Sequence, residues 1–469
     1  MRTIVTQSLA LAALALPLLS LPCEALAKEP AERKAPNVIV ILADEIGYGD
    51  VGFNGGNSIP TPNLNRIAAG GVVCTSGYVA HPNGSANRAG LLTGRYPGRF
   101  GYERSVAWRP QDPTAGLPVT EKTLAEALHP LGYQSGLIGK WQLGANDVFH
   151  PLNRGFDEFY GYLGGGHRSF PEEFTVQYTH EARIEPDSYR TWMLRGMQPV
   201  RSQRYLTEDL SLEALDFVRR QGEKPFFLYL SYNAPRAPLQ APEKELAAFS
   251  NIKDEKRRAY AAMITVMDRG IGQLLDLLDS QELADNTILF FLSSTGGDTA
   301  VTGAYNGSVK GIRGEPFEGG LRVPFAVRWP GKLPGGTVYR QSVSMLDIFA
   351  TVAAASKIPA DPARPLDGVD LVPFLSGDNN GAPHERLYQR VFDSSTYVVR
   401  QGNYKLIKTK KAPGIFLYNL ANDPMERTNI AAENDDRIKT MLENLDAWNA
   451  TLIAPTVPGV DMKEWTQTH

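Results

Sequence analysis

Two adjacent carboxylates, Asp44 and Glu45, are the side chains of this sequence best placed to carry chemistry. They follow a short apolar segment and precede two glycines, Gly47 and Gly49. Ligands of open α/β sheets gather beyond the carboxyl ends of the strands, so both acids stand where binding and catalysis usually occur. Beside a sugar, two carboxylates can serve as the acid and as the base or nucleophile of glycoside hydrolysis.

Whether these two acids can act as a pair depends on where the preceding strand ends. Adjacent residues of a strand face opposite ways, so the pair can work together only if the strand has already ended. Glu315 and Asp298 are alternative partners. A purely structural role, in which both acids form ion pairs with Lys140 or Arg313, stays open as well.

Two histidines are further candidates. His81 could act as a general base near a substrate, because a histidine titrates close to neutral pH. His167 follows three consecutive glycines and could contact substrate. A lone histidine in a loop is more often a solvated or hydrogen-bonding residue, and that alternative applies to both.

The segments that must position these residues alternate between strand and helix patterns. A continuous apolar, β-branched run predicts a buried strand over residues 37–43, and further strands are predicted over 133–138, 226–230, 287–292 and 323–329. The clearest helical stripe predicts a helix over about 255–278. This alternation predicts an α/β fold, with a large, mostly parallel sheet covered by helices on both faces.

The character of the sequence changes near residues 377–383, which are rich in Gly, Asn and Pro. Beyond them, strands are predicted over 396–400, 404–408 and 415–418, and a final helix over about 436–453. We therefore expect a large domain over residues 28–380 and a small C-terminal α+β domain over 381–469.

The first 27 residues have the pattern of a secretory signal peptide: a basic start, an apolar run over 9–21 and a small-x-small site at 25–27. The run is shorter than the roughly 20 residues of a membrane span. We expect a secreted or periplasmic protein that keeps one cysteine, Cys74, and so forms no internal disulfide. The formal net charge of −3 gives no indication of nucleic acid or an anionic membrane as a partner.

Several stretches resemble the formylglycine-dependent sulfatases, which have the alkaline-phosphatase superfamily fold. They are residues 36–49 (PNVIVILADEIGYG), 77–101 (GYVAHPNGSANRAGLLTGRYPGRFG), 139–144 (GKWQLG), 151–164 (PLNRGFDEFYGYLG), 225–242, 318–330 (EGGLRVPFAVRWP) and 403–407 (NYKLI). The resemblance extends over nearly the whole mature chain and implies the same α/β fold.

The resemblance also locates a missing nucleophile. In that family a Cys-x-Pro-x-Arg or Ser-x-Ala-x-Arg motif lies at the mouth of a helix, and its Cys or Ser is oxidised to formylglycine. Arg88 aligns with the arginine, which puts Gly84 at the nucleophile position and Ala86 at the proline position. Ser85 and Cys74 are both out of place for the modification.

Other family positions are replaced too. The metal-binding Asp-Asn pair falls on Ser294 and Thr295, two histidines fall on Gln142 and Arg236, and a lysine falls on Arg313. Asp44, Arg88 and Lys140 are unchanged, and Glu45 replaces a second aspartate. Calcium takes about six to eight oxygen ligands with sufficient carboxylate charge, so this set is poor and we expect no metal or other cofactor.

The basic residues of the family's site are better preserved in this sequence than its metal ligands. The resemblance implies that Arg88, Lys140, Arg236 and Arg313 converge, with the start of a helix near Gly84, into a pocket for an anion such as a sulfated sugar, a uronic acid or a phosphate. Gln142, His167, Ser294 and Thr295 would be further contacts. The alternative is that the arginines form structural ion pairs.

Three functions stay open. The first, which we expect, is a secreted hydrolase that cleaves a glycosidic bond in an anionic oligo- or polysaccharide, with Asp44, Glu45 and His81 as catalytic residues. The second is a non-catalytic binder of anionic saccharides. The third, ranked last, is a sulfate-ester hydrolase that uses activated water. The sequence does not predict the sugar, the linkage or the oligomeric state.

Overall fold

The computed structural model describes residues 35–174, 188–412 and 414–459. The predicted signal peptide, residues 1–27, lies outside the described residues. Within the described ranges, no helix is both long and apolar enough to cross a membrane.

The strands, in chain order, are β1 (Asn37–Ala43), β2 (Val72–Cys74), β3 (Gly77–Tyr78), β4 (Gln134–Lys140), β5 (Glu158–Tyr162), β6 (Met193–Arg195), β7 (Gln198–Val200), β8 (Phe226–Ser231), β9 (Thr287–Ser293), β10 (Arg322–Val323), β11 (Phe325–Arg328), β12 (Thr337–Tyr339), β13 (Val343–Ser344), β14 (Arg386–Val391), β15 (Thr396–Gln401), β16 (Tyr404–Lys408) and β17 (Ile415–Asn419). The helices are α1 (Pro62–Ala69), α2 (Gly84–Thr93), α3 (Leu124–Leu128), α4 (Leu206–Arg220), α5 (Glu243–Ala248), α6 (Glu255–Ser280), α7 (Thr299–Thr302), α8 (Glu318–Leu321), α9 (Asp347–Ser356), α10 (Val372–Leu375) and α11 (Asp435–Asn449).

The large sheet has ten strands in the order β12-β2-β11-β9-β1-β8-β4-β5-β6-β7. Its centre, β9-β1-β8-β4-β5, is parallel throughout. Two antiparallel pairs lie on each side of this centre, and the outermost pair β12-β2 is parallel. The predicted α/β fold with a large, mostly parallel sheet is confirmed.

Helices cover both faces of this sheet, which explains why β1 is apolar without interruption. Val38, Val40 and Leu42 belong to one hydrophobic cluster, together with residues of α2 and α9. Ile39 and Ile41 belong to another, together with residues of α4 and α6. Because both faces of the central strands are buried, the functional side chains can lie only where those strands end.

The carboxyl ends of three central strands meet at one edge. β1, β9 and β4 end at Ala43, Ser293 and Lys140. Ala43 lies beside Ser293 in the parallel register, so the next residues, Asp44 and Ser294, leave the sheet together. Residues about 250 positions apart in the chain are thereby brought into one site.

The strand predicted over 323–329 is divided in the structure. β10 pairs with β3 in a separate three-stranded sheet, whereas β11 joins the large sheet. Pro324 separates the two. Since proline has no N–H to donate to a ladder, it is the natural point for the chain to change sheets.

The C-terminal part contains a four-stranded antiparallel sheet in the order β14-β15-β16-β17. Helix α11 packs on it through Met441 and Leu445, which contact Val399, Leu406 and Leu417. The predicted small α+β unit is confirmed, while its boundary at residues 380 and 381 stays a prediction.

A buried ion cluster joins this small sheet to α8. Lys405 Nζ lies 3.1 Å from Glu318 Oε1 and 2.9 Å from Glu426 Oε1, and all three side chains are buried. Burial raises the pKa of Glu426; Lys405 opposes the rise and Glu318 adds to it. Two buried carboxylates therefore depend on one ammonium group.

We predict that Lys405→Met lowers the free energy of unfolding at pH 7 by about 3–5 kcal/mol, the usual effect of leaving buried charge uncompensated. Without Lys405 the pKa of Glu426 rises further above its unfolded value. The folded variant then holds a proton that the unfolded chain releases, so its stability falls as pH rises above the unfolded value, within the range of about 5 to 8. Urea denaturation across that pH range measures the effect.

Lys408→Met, on the same strand, is the control. Its ammonium lies 3.4 Å from Asp446, and both side chains are well exposed, so a change within about 1 kcal/mol is expected. Equal effects of the two substitutions would contradict the role assigned to Lys405.

Candidate functional site

A cavity of about 520 Å³ opens at the carboxyl edge of the large sheet. Its lining includes Asp44, Glu45 and Lys140 from the strand ends, and Gly84 from the first position of α2. The small C-terminal sheet adds Asp393 from the turn after β14. The cavity is therefore enclosed by both parts of the chain.

Asp44 is the most heavily paired side chain of this site. Its Oδ2 accepts a hydrogen bond from Lys140 Nζ at 2.6 Å, and its Oδ1 accepts from Arg88 Nη2 at 3.2 Å and Ser294 Oγ at 2.7 Å. Burial alone would raise the pKa of Asp44, but Lys140, Arg88 and Arg236 together hold it well below its usual range. Asp44 is thus a buried carboxylate compensated by side-chain cations.

Glu45 is paired with the other two predicted cations. Its Oε1 accepts from Arg236 Nε at 2.8 Å, and Arg313 Nε lies 3.3 Å from the same oxygen. Arg313 also lies 3.6 Å from Asp298. Its side chain is 31% exposed, whereas those of Arg88, Lys140 and Arg236 are 0%, 1% and 9% exposed. Arg313 is therefore the cation of this group most accessible to a ligand.

Two residues of the site have a left-handed backbone, Glu45 with φ 69° and Gln142 with φ 55°. β1 has ended at Ala43, so strand alternation does not apply to the acids, and Asp44 and Glu45 both line the cavity. For residues other than glycine this conformation costs about 1–2 kcal/mol. Strained backbone of this kind is concentrated at functional sites.

Gly84 opens helix α2 and faces the cavity. The helix is capped by Asn83, whose Oδ1 accepts a hydrogen bond from the Ser85 N–H at 3.0 Å. A Cβ on Gly84 would lie 3.4 Å from Arg88 Nη1 and 3.7 Å from Ser294 Oγ, which are ordinary contacts. A Cβ would therefore fit at this position, and the sequence supplies none.

The nearby hydroxyl and thiol groups do not replace it. Ser85 Oγ donates to the Gln142 carbonyl at 3.0 Å and lies 3.1 Å from the Tyr102 hydroxyl, fully buried. Cys74 ends β2, and burial raises the pKa of its thiol. Neither Ser85 nor Cys74 is among the residues that line the cavity.

The donor set does not suit a calcium ion. Both oxygens of Asp44 already accept from Lys140, Arg88 and Ser294, and Thr295 Oγ1 donates to a backbone carbonyl at 3.1 Å. A dication here would face two buried cations and too few carboxylates. Across the residues that the structure describes, no cluster of three His, Cys, Asp or Glu side chains could hold a metal.

The two candidate histidines have different surroundings. His81 lines the cavity, and its Nδ1 accepts a hydrogen bond from the Asn83 N–H at 3.1 Å. Burial lowers the pKa of His81 to about 3, so the ring is neutral with its proton on Nε2. His167 is fully buried, and each ring nitrogen lies 2.8 Å from a carbonyl oxygen, of Arg168 and of Thr191. Catalysis by His81 and substrate contact by His167 stay predictions.

The alternative acids lie outside the cavity lining, although Asp298 reaches Arg313. Glu315 Oε2 accepts a hydrogen bond from the Ile312 N–H at 3.1 Å, and Asp298 caps α7 by accepting from the Val301 N–H at 3.1 Å. Neither lines the cavity, whereas Gln142 does. The structure therefore groups Glu45 with Asp44 rather than with Glu315 or Asp298.

Sequence reasoning missed the side of the cavity formed with the C-terminal sheet. Arg104 and Glu103 both line it; Arg104 forms an ion pair with Asp393 at 2.6 Å, and Glu103 pairs with Arg390. These partners are almost 290 residues apart, and no local pattern connects them. The helix cap at Asn83 was detectable, because asparagine is a preferred residue immediately before a helix.

Comparisons with known proteins agree with the fold. A model of the sulfatase family matches residues 36–358, and one described as N-sulphoglucosamine sulphohydrolase, C-terminal, matches residues 316–450. The solved structure of Ps i-CgsB in complex with k-i-k-neocarrahexaose is similar with a TM-score of 0.86 and 34% identity, over 93% of this chain and 98% of that one.

Among curated relatives, the N-acetylgalactosamine-6-sulfatase of Homo sapiens is 36% identical over 72% of this chain. The matched region is 66% of that relative, so the chain spans just under two thirds of its length. The steryl-sulfatase of Homo sapiens is 31% identical over 75% of this chain and 72% of that protein. These relatives are named as sulfatases, so our expectation of an enzyme that cleaves glycosidic bonds is wrong.

We predict that Gln142→Gly raises the free energy of unfolding by up to about 1 kcal/mol, because glycine adopts the left-handed backbone without strain. Thermal or urea denaturation measures the change. Gln134→Gly, at the first residue of β4, is the control and should instead destabilise by about 0.5–1 kcal/mol. Destabilisation by both substitutions would contradict strain at Gln142.

We predict that calcium leaves the stability of the protein unchanged. A ligand that binds only the folded state stabilises it by RT ln(1 + [L]/Kd), so in the absence of a calcium site about 5 mM CaCl₂ or EDTA should shift the melting temperature by less than about 1 °C. Differential scanning calorimetry measures this, with MgCl₂ at the same concentration as the ionic-strength control. A rise with calcium alone would show that the site holds the ion.

Proposed function

The chain belongs to the sulfatase family, and we propose that it binds sulfated saccharides without cleaving their sulfate esters by the formylglycine route. The observation that carries this proposal is Gly84, which lines the cavity at the mouth of α2 and offers no nucleophile. Loss of a covalent nucleophile can cost on the order of 10⁶ in rate. The chain has the family's fold, and we propose that Gly84 stands where the family has the residue that becomes formylglycine.

The balance of charge supports an anionic ligand. The charged side chains in mutual contact at the site are the cations Arg88, Lys140, Arg236 and Arg313 and the carboxylates Asp44, Glu45 and Asp298. Four basic side chains against three carboxylates leave a surplus of one positive charge only while Lys140 is protonated, and burial lowers the pKa of Lys140 to about 7. The positive groups that a ligand can reach are therefore Arg313 and the amino end of α2. Arg313, the most exposed of these cations, is the proposed contact to a sulfate group.

The cavity and the relatives support a saccharide. Its volume of about 520 Å³ lies within the roughly 300–1,000 Å³ of small-molecule sites. The relative at 34% identity is bound to a hexasaccharide, and other relatives are named for N-acetylgalactosamine 6-sulfate. With the predicted signal peptide, we propose that binding takes place outside the cytoplasm.

Sulfate-ester hydrolysis through an activated water is the second candidate, and the names of the relatives favour it. Such a mechanism needs a general base with a free lone pair directed at water. The lone pair of His81 Nδ1 accepts a hydrogen bond from the Asn83 N–H. Asp44 accepts three hydrogen bonds and is buried, and Glu45 is shared between two arginines. We therefore favour binding without hydrolysis over sulfate-ester hydrolysis by an activated water.

The first test is to incubate the purified mature chain with k-i-k-neocarrahexaose, N-acetylgalactosamine 6-sulfate and steryl sulfate. We expect calorimetry to detect binding to at least one of the sulfated sugars, and ion chromatography to detect no free sulfate. Arg313→Ala should weaken that binding at least about tenfold, as expected for loss of a charge-assisted hydrogen bond. Arg66→Ala, at a surface pair with Asp276, is the matched control and should leave it unchanged.

The outcomes separate the candidates. Sulfate released in proportion to enzyme would establish hydrolysis and overturn the first proposal. No binding to any of the three probes would count against both.

The substitution Gly84→Ser creates a Ser-x-Ala-x-Arg motif with Ala86 and Arg88. The substituted chain should fold at least as stably as the original, because the new Cβ makes ordinary contacts and glycine is unfavourable within helices. Produced with a formylglycine-generating enzyme, it should still release no sulfate, because Asp44 stays paired with cations. Sulfate release by this variant alone would mean that the nucleophile was the single missing part.

A further inference from the structure

We propose that the protein has a second ligand site, remote from the cavity at the sheet edge, which takes a small amphiphilic molecule with one anionic group, such as a medium-chain carboxylate. The site is a cavity of about 400 Å³ lined mainly by helix α9 and by the loop that follows it, residues 358–366. The inference is independent of the proposed function, because it concerns a different part of the molecular surface.

The two cavities lie at opposite ends of helix α2. Gly84, the first residue of this helix, lines the cavity at the sheet edge, whereas Thr93, its last residue, lines the second cavity. At about 1.5 Å per residue, the ends of this helix are about 14 Å apart. Of the residues that the structure describes, none lines both cavities. The second cavity is therefore not an extension of the first.

The lining of the second cavity is mostly apolar. Helix α9 contributes Phe349, Ala353 and Ala354, and the loop contributes Ile358 and Leu366. The alanines leave space beside the helix that longer side chains would fill. Sites for small molecules have volumes of roughly 300–1,000 Å³ and apolar linings with a few polar groups, so this cavity suits the apolar body of a small ligand.

The charged groups of this lining leave one lysine unpaired. Arg95 Nη1 donates to both carboxylate oxygens of Glu121, at 2.8 and 2.6 Å, and Arg364 lies 3.8 Å from Asp361. Lys122 also lines the cavity; it is exposed and forms no ion pair with any residue that the structure describes. Because each acid is matched by an arginine, the surplus is the single positive charge of Lys122. A ligand with one anionic group complements it.

The loop over residues 358–366 is fixed before any ligand binds. Three of its residues are prolines, whose rings restrict the backbone φ angle. The residue after the loop, Asp367, accepts hydrogen bonds from Arg99 Nε and Nη2, both at 2.6 Å, and from the Tyr96 N–H at 2.9 Å. A cavity with an ordered wall loses little conformational entropy when a ligand binds, which favours binding.

The test is calorimetry with decanoate, and with 1-decanol as an uncharged probe of the same chain length. The unaltered protein should bind decanoate at one site and 1-decanol about twofold to fivefold more weakly, the range expected for one exposed charge contact. Lys122→Ala should reduce the affinity for decanoate by the same factor and leave that for 1-decanol unchanged. Lys122→Arg, which keeps the charge, should keep the affinity for decanoate.

Filling the cavity tests where the probes bind. Ala354→Trp places a large side chain in the lining, so both probes should bind at least about tenfold more weakly. Ala363→Trp is the matched control, because Ala363 is exposed in the same loop and is not among the residues that line the cavity. It should leave the affinity for both probes unchanged.

Each outcome decides the proposal. Absence of decanoate binding by the unaltered protein would overturn it, and so would an equal loss of affinity in Ala354→Trp and Ala363→Trp. Equal affinities for decanoate and 1-decanol would overturn the anionic class of the ligand. A dimer of the unaltered protein in sedimentation velocity that Ala354→Trp dissociates would also overturn the proposal, because a second copy of the chain would then occupy the cavity.

Discussion

The contact between Asp44 and Lys140 is the interaction on which the rest of the site depends. Both groups are buried, and removing a charge from water costs several kcal/mol even after the protein relaxes. Asp44 must therefore be compensated by another charge at all times. In this chain basic side chains compensate the charge of Asp44. Arg88 and Ser294 also donate hydrogen bonds to its carboxylate. Because side-chain cations already compensate Asp44, a metal ion would add little electrostatic stabilisation to this site.

The fold determines where such a network can form. The central strands are buried on both faces, so polar groups are tolerated only where the strands end. The left-handed backbone at Glu45 and Gln142 turns the chain out of the sheet at these ends. The backbone strain at these two residues persists because the hydrogen bonds of the surrounding parallel strands fix the strand ends in place.

Much of this architecture could be predicted from the sequence because it depends on local patterns. The apolar run of β1 was predicted with its observed bounds, and the stripe of α6 was located to within two residues. The division at Pro324 was missed because a proline can also stand at a strand edge, and only the tertiary structure shows that the chain changes sheets there.

The site was less predictable than the fold. Family resemblance indicated which residues would meet, but it could not show how they would pair. Whether four cations form an open anion pocket or neutralise the acids depends on distances of a few tenths of an ångström. The part of the cavity wall around Asp393 depends on how the small sheet packs against the loop of Arg104, and no sequence periodicity encodes that packing.

Gly84 and the ion network differ in how easily they could change during evolution. A single substitution can place a side chain at Gly84, since the space and the helical backbone are already there. The ion network cannot change by a single substitution in the same way. Removing one member of a buried ion pair leaves its partner uncompensated and destabilises the fold by about 3–5 kcal/mol. Asp44, Lys140, Arg88 and Ser294 can therefore be exchanged only in combination. A nucleophile at Gly84 is therefore one mutation away, whereas a change in the ion network requires several mutations together.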